Sequence, residues 1–208
     1  MPETSRREVR NLNALLEVSR ALGAEMHLDN LLPVIIHKTT EVMDAERSSL
    51  FIYDPDSDEL WSKVAEGMDE KTIRFPAGVG IAGDVAKTLE TANIPDAYED
   101  PRFNPEFDKQ SKFTTKAVLC MPITTRKGEL IGVIQVLNKT DGGTFQEGDE
   151  KLLEALCIQA GVAIVRARLT EAFLEKQRIE ESLKLAAEIQ MGMLQNTFPA
   201  FPERNDFY

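Results

Sequence analysis

The chain has 208 residues, 42% of them hydrophobic, and its 24 basic and 35 acidic residues give a formal charge of −11. That length supports one substantial core with extensions and is short for two full domains. The acidic balance without a Lys/Arg stripe argues against nucleic acid or an anionic membrane as partner, and aromatics at 7%, mostly in apolar runs, argue against a single-strand groove.

Residues 1–8 lack the apolar core of a signal peptide, and no apolar run approaches the roughly 20 residues of a membrane span, so a cytoplasmic protein is expected. Leu12, Leu15, Leu16 and Leu22 recur at the three/four spacing of a helix over 9–26. A second helix follows, with Asp29 or Asn30 as its cap, Pro33 in its first turn and an apolar face of Leu32, Ile35, Ile36 and Val42. The two histidines, His27 and His37, fall in these helices and read as ordinary helix residues rather than metal or haem ligands.

At 49–53 the pattern becomes period two: Leu50 and Ile52 point one way, Ser49, Phe51 and Tyr53 the other. Turn chemistry at 54–59 and a partner strand at 60–66 predict a hairpin. Glycines at 78, 80 and 83 then open a short helical pattern. They match the G-x-G-x-x-G dinucleotide fingerprint, with Asp100 near the expected acidic position. That fingerprint needs a βαβ unit, which the later strands contradict, leaving either a phosphate-sized anion site at a helix N-terminus or a tight turn. Residues 93–116 read as a long loop with one helix at most, a type of segment that is usually functional.

Strands at 117–123 and 130–137, joined by a short turn at 125–129, must be antiparallel neighbours. Cys120 and Cys157 sit in apolar stretches and read as buried free thiols. No serine, cysteine or carboxylate pair accompanies a histidine in a nucleophile motif, so this chain offers no catalytic site of its own. Thr144 and Glu147 suggest a capping box that starts a helix running to about Gln195. At 1.5 Å per residue it would be about 70 Å long, more than one small domain covers. Its seam is Val162, Val165, Leu169, Ala172, Lys176, Ile179, Leu183, Ala186, Gln190 and Met193, a heptad pattern that predicts a parallel two-stranded coiled coil.

Asn138-Lys139, Phe145 and Asp149-Glu150 stand at the spacing N-K-x5-F-x3-D-E. This resembles the signature of GAF domains in cyclic-nucleotide phosphodiesterases and bacterial adenylyl cyclases. Further landmarks at 45–51, 75–83, 93–98 and 119–123 extend the likeness from about Leu12 to Leu169. The resemblance implies an α+β fold, an antiparallel sheet flanked by helices, with helices gathered on one face and the two terminal helices packed together. It implies that Lys139 and Asp149 pair and brace the domain without touching ligand. It also implies a cyclic-nucleotide pocket, for cyclic AMP or cyclic GMP. Ser49 and Gln135 would face the base, with Ala65 and Glu66 at the slot's edge. Ile81 and Ala82 would offer amides to the cyclic phosphate, and Asp108, Ser111 and Thr115 would lie on the closing loop. Ala65 stands where an aromatic can stack on the purine, and Gln135 where some members carry a carboxylate.

Residues 185–199 resemble the lead-in to SpoIIE-type PPM serine/threonine phosphatases, with Gln195 in place of the usual proline; that family's metal-binding aspartates lie further downstream. The expected organisation is an N-terminal signalling helix at 1–27, a GAF sensor at 28–165, a coiled-coil helix at 166–195 and the start of a phosphatase at 196–208. The expected partners are a second copy, through the terminal helices, and the downstream phosphatase in the same polypeptide. The competing expectation is a dimerisation module that binds no ligand.

Overall fold

Side chains alternate along the first strand, β1 (Ala45–Asp54), and so divide the molecule's apolar interior in two. Leu50 and Ile52 enter one buried cluster and Phe51 enters the other. The computed structural model describes residues 3–62 and 73–194. Its helices are α1 (Glu3–Ala24), α2 (Leu28–Val42), α3 (Gly80–Thr88), α4 (Glu106–Ser111) and α5 (Glu147–Leu194). The remaining strands are β2 (Glu59–Ser62), β3 (Ile73–Pro76), β4 (Ala92–Ile94), β5 (Val118–Thr124) and β6 (Leu130–Lys139).

The six strands form one sheet in the order β3-β2-β1-β6-β5-β4, every neighbouring pair antiparallel. The α+β class and the antiparallel sheet flanked by helices are as expected. The helices do not all gather on one face, however. Ile35 and Ile36 of α2 and Leu153, Leu156 and Ile164 of α5 pack on the Leu50 side, while Ile81, Ala82 and Val85 of α3 pack on the Phe51 side.

Several local expectations shift. Helix α2 begins at Leu28 with His27 as N-cap, which makes no side-chain cap bond, so Pro33 lies inside the helix rather than in its first turn. In α1 the apolar spacing marks a helix but not its buried side: Val18 and Leu22 are buried, whereas Leu12 and Leu16 are 61% and 59% exposed. At the start of α5 the Gln146 N–H donates to Asp149 Oδ2 at 2.8 Å, so the capping arrangement sits two residues beyond Thr144. The short strand β4 overlaps the start of the 93–116 segment expected to be a loop, and β3 lies where the sequence shows no element. Arg166 of α5 donates to the carbonyls of Leu22, Gly23 and Glu25, satisfying acceptors at the end of α1.

Residues to 168 form one compact unit and those from 169 a second. In the second unit, positions 172–191 are all exposed, among them Phe173, Ile179, Leu183 and Ile189. Among the described residues no helix is long and apolar enough to cross a membrane.

Both thiols are inside: Cys120 is 0% and Cys157 4% exposed, and burial pushes both thiol pKa values well up. Ellman's reagent at pH 8 is therefore expected to find no reactive thiol in the folded protein and two after denaturation. One fast-reacting thiol in the native state would place either cysteine elsewhere.

Candidate functional site

On the α3 face, period-two alternation lines up Arg47, Ser49, Phe51 and Tyr53 on β1. Pairing with β6 sets Ser49 directly opposite Gln135 and Phe51 opposite Val133. Gln135 in turn faces Cys120 of β5. Phe51, Val133 and Cys120 are buried in the apolar cluster beneath α3. Ser49 and Gln135 are only half-buried, and neither side chain has a hydrogen-bond partner among the described residues. A hydroxyl and a carboxamide, adjacent on an otherwise apolar floor, present donors and acceptors that no described residue uses.

The wall is α3. Its N-cap Val79 provides no side-chain cap, so the amides of the first turn, including those of Ile81 and Ala82, depend on water or a ligand for partners. Both side chains are buried beneath that turn, at 4% exposure each. The glycine pattern has a structural cause. Gly78 adopts φ +93°, and a Cβ on Gly83 would lie 3.0 Å from Gly78 N, so the turn closes tightly against the helix.

The roof is the 93–116 segment, which is better ordered than a plain loop. Asp108 is 7% exposed and accepts from Thr115 N at 2.6 Å, from Thr115 Oγ1 at 2.7 Å and from Tyr98 Oη at 3.2 Å. In this state Asp108 and Thr115 clasp each other. Ala65 and Glu66 lie outside the described residues, as does the Ser111 side chain.

The roof's first half is pinned by Arg102, which donates to Asp84 of α3 at 2.5 Å and to Asp100 at 2.7 and 2.9 Å. The guanidinium hydrogen bonds hold the Asp100 carboxyl below the usual range. A folded-state pKa below the unfolded value of about 3.9 contributes stability above that pH and loses it on acidification. Asp100→Asn should therefore be less stable than the parent at pH 7, and the gap should close below about pH 4. A gap that did not narrow at all as the pH fell below 4 would show that the pairing is not its source.

The Asn138, Lys139, Phe145, Asp149 and Glu150 group braces the far end. Asn138, at φ 52°, donates to Glu46 Oε2 and the Thr114 carbonyl and accepts from Lys116 N at 2.7 Å, tying β6 to the roof. Lys139 Nζ lies 3.0 Å from Asp149 Oδ1, their side chains 11% and 3% exposed. Glu150 accepts from Asn93 Nδ2, which also donates to the Phe145 carbonyl. Lys139 and Asp149 thus pair with each other, while Asn138 and Glu150 tie neighbouring segments in place.

A model described as "GAF domain" matches residues 27–164. The chain belongs to the GAF domain family. As a GAF domain it is a regulatory module of a kind that is generally non-catalytic. It is 35% identical over 190 residues to "Probable 3',5'-cyclic phosphodiesterase pde-5" of Caenorhabditis elegans, covering 85% of this chain and 25% of that protein. It is 36% identical over 205 residues to "Dual 3',5'-cyclic-AMP and -GMP phosphodiesterase 11" of Drosophila melanogaster, covering 89% and 14%. The chain thus spans a quarter or less of these relatives. Among solved structures, the GAF domain of a phosphoenolpyruvate-protein phosphotransferase from Coxiella burnetii superposes with a TM-score of 0.69 at 25% identity, covering 79% of this chain and 98% of that one.

Two residues of this GAF domain's site escaped the sequence reading, Arg47 and Phe113. The Arg47 guanidinium carbon stands 4.1 Å from the Phe113 ring centroid, joining floor to roof. Arg47 shares the alternation that singles out Ser49. Phe113, in a stretch without periodicity, carried no signal. Among the described residues, clefts away from this face include one of about 140 Å³ between α1 and α2 beside Arg10 and Asp44 and one of about 510 Å³ between α5 and the β5 edge beside Met121 and Glu154.

Proposed function

We propose that this GAF domain senses a cyclic nucleotide and relays its occupancy to a downstream serine/threonine phosphatase in the same polypeptide. The observation that carries the reading is the registered, half-buried pair Ser49 and Gln135, both without partners on the floor. A carboxamide beside a hydroxyl matches the mixed donor and acceptor edge of a purine. The uncapped first turn of α3 is suited to the cyclic phosphate through Ile81 and Ala82. Asp108 and Thr115 contribute through the roof; a place for Ser111, Ala65 and Glu66 in the site is supported by the family resemblance alone. The phosphodiesterase relatives support cyclic AMP or cyclic GMP as the ligand class. The likeness of residues 185–199 to the phosphatase lead-in supports the output.

Transmission runs through α5 in a homodimer. Val9, Leu12 and Leu16 of α1 and Ile158 and Val162 of α5 are each more than half exposed, a large apolar surface for a solitary unit, and the heptad seam continues beyond them. Ligand shifts the dimer's equilibrium only by its difference in affinity for the two states. Light scattering is expected to give a dimer mass for the parent and a monomer for Leu12→Glu/Leu16→Glu.

A thermal-shift series tests sensing. Ligand at 100 times its dissociation constant adds about 2.7 kcal/mol, a rise of roughly 5–11 °C for a chain of this size. Gln135→Leu should weaken binding roughly 5- to 100-fold by leaving a ligand polar group unpaired. No shift with either nucleotide at millimolar concentration would favour the ligand-independent dimerisation module.

A further inference from the structure

We infer that Arg47 is a positioning residue which, through Phe113, latches the roof segment 106–116 onto the sheet and so sets how fast the ligand site proposed on the α3 face exchanges its ligand. The second half of this statement rests on the sensing function proposed above; the latch itself does not.

The roof from α4 to β5 is built as a small self-braced unit. Asp108 closes on Thr115 by two short bonds and receives the Tyr98 hydroxyl, so residues 108 to 115 hold one another. Lys112, at φ 54°, turns the chain sharply between α4 and Phe113. The C-terminal end is tied to Asn138 through Thr114 and Lys116. Between these ties Phe113 reaches β1, where its ring centroid lies 4.1 Å from the Arg47 guanidinium carbon.

Arg47 lies two residues from Ser49 on the same face of β1 and is half-buried. Among the described residues its guanidinium makes no hydrogen bond or ion pair, so the ring face is its recorded partner. An arginine spent on a structural ion pair would sit beside a carboxylate, as Arg102 does between Asp84 and Asp100. Arg47 instead joins the floor residue row to the roof by one contact of modest strength, which a local opening can break without disturbing the sheet. The contact is formed in the docked state and lost in the open one, so its removal raises the open population and speeds passage in and out.

Native-state hydrogen exchange tests the latch without ligand. The Thr115 and Lys116 amides, bonded to Asp108 and Asn138, report roof opening, while the Ile134 and Val136 amides of β6 report global unfolding. Arg47→Gln and Phe113→Leu should each speed exchange at 115 and 116 by about 2- to 5-fold, leaving 134 and 136 unchanged. The double variant should be no faster than either single, and Arg47→Lys and Phe113→Tyr should stay near the parent. Additive effects of the two singles, equal acceleration in β6, or no change at 115 and 116 would each overturn the latch.

A stopped-flow arm uses a fluorescent cyclic-AMP analogue. Arg47→Gln should raise association and dissociation rates together, with the dissociation rate up by a similar 2- to 5-fold. Unchanged rates in a protein whose roof exchange has risen would overturn the link to ligand exchange. A parent that binds neither this analogue nor its cyclic-GMP counterpart would overturn that link together with the sensing proposal, leaving the exchange result to decide the latch.

Discussion

Gly132→Ala is expected to cost at least about 3 kcal/mol, lowering the melting temperature by roughly 6–12 °C, and to leave little soluble protein. Gly132 sits in β6 between Ile52 of β1 and Ile123 of β5 in register. A Cβ built there lies 2.3 Å from the Phe51 carbonyl oxygen and 3.3 Å from Ile52 Cα. Both are backbone atoms of a paired central strand, so no rotamer relieves the contact. The strands must move apart at the centre of the sheet, where both apolar clusters meet. Because Ser49 and Gln135 face each other across the same strand pair, the ligand floor would distort with it. A well-folded Gly132→Ala protein with a melting point within 2 °C of the parent would show that β1 and β6 are further apart than described.

Lys139→Met is expected to cost about 3 kcal/mol, and the double variant Lys139→Met/Asp149→Leu less than Lys139→Met alone. Asp149 is 3% exposed at its side chain, and Lys139 stands 3.0 Å away. Removing the cation leaves a buried carboxylate with the Gln146 N–H but without its counter-charge. Removing both charges eliminates that desolvation cost, since apolar replacements of a buried pair are often neutral. Chemical denaturation of the two singles and the double provides the coupling energy. Equal costs for the single and double variants would mean that the pair does not brace α5 against β6. Neither residue touches the floor, so ligand affinity per folded molecule should remain within about twofold of the parent, an expectation that separates a brace from a binding residue.

The long strands and helices could be read because their periods persist: β1 alternates across Leu50, Phe51 and Ile52, and α5 keeps helical spacing over its described length. β3 and β4, at four and three residues, are too short to show a period, and their pairing with β2 and β5 is a tertiary fact. Spacing identified α1 as a helix but not which stripe is covered: Val18 and Leu22 are buried while Leu12 and Leu16 are exposed, because that choice depends on neighbours. At the site, residue types could be read one at a time and their meetings could not. Ser49 and Gln135 come together through the β1–β6 register, and Asp108 meets Thr115 through the left-handed turn at Lys112. Arg47 over Phe113 is the extreme case, a pairing of strand and roof that no local pattern announces.

Sensing requires that Ser49 and Gln135 form the floor of an occupied pocket. The direct measurement is calorimetric titration of cyclic AMP and cyclic GMP into the full chain, the parent beside Ser49→Ala and Gln135→Leu. Saturable binding of at least one nucleotide by the parent is expected, weakened roughly 5- to 100-fold by Gln135→Leu with the melting temperature of the free protein unchanged. Binding with identical affinity in all three proteins, or no heat from either nucleotide at millimolar concentration, would contradict it.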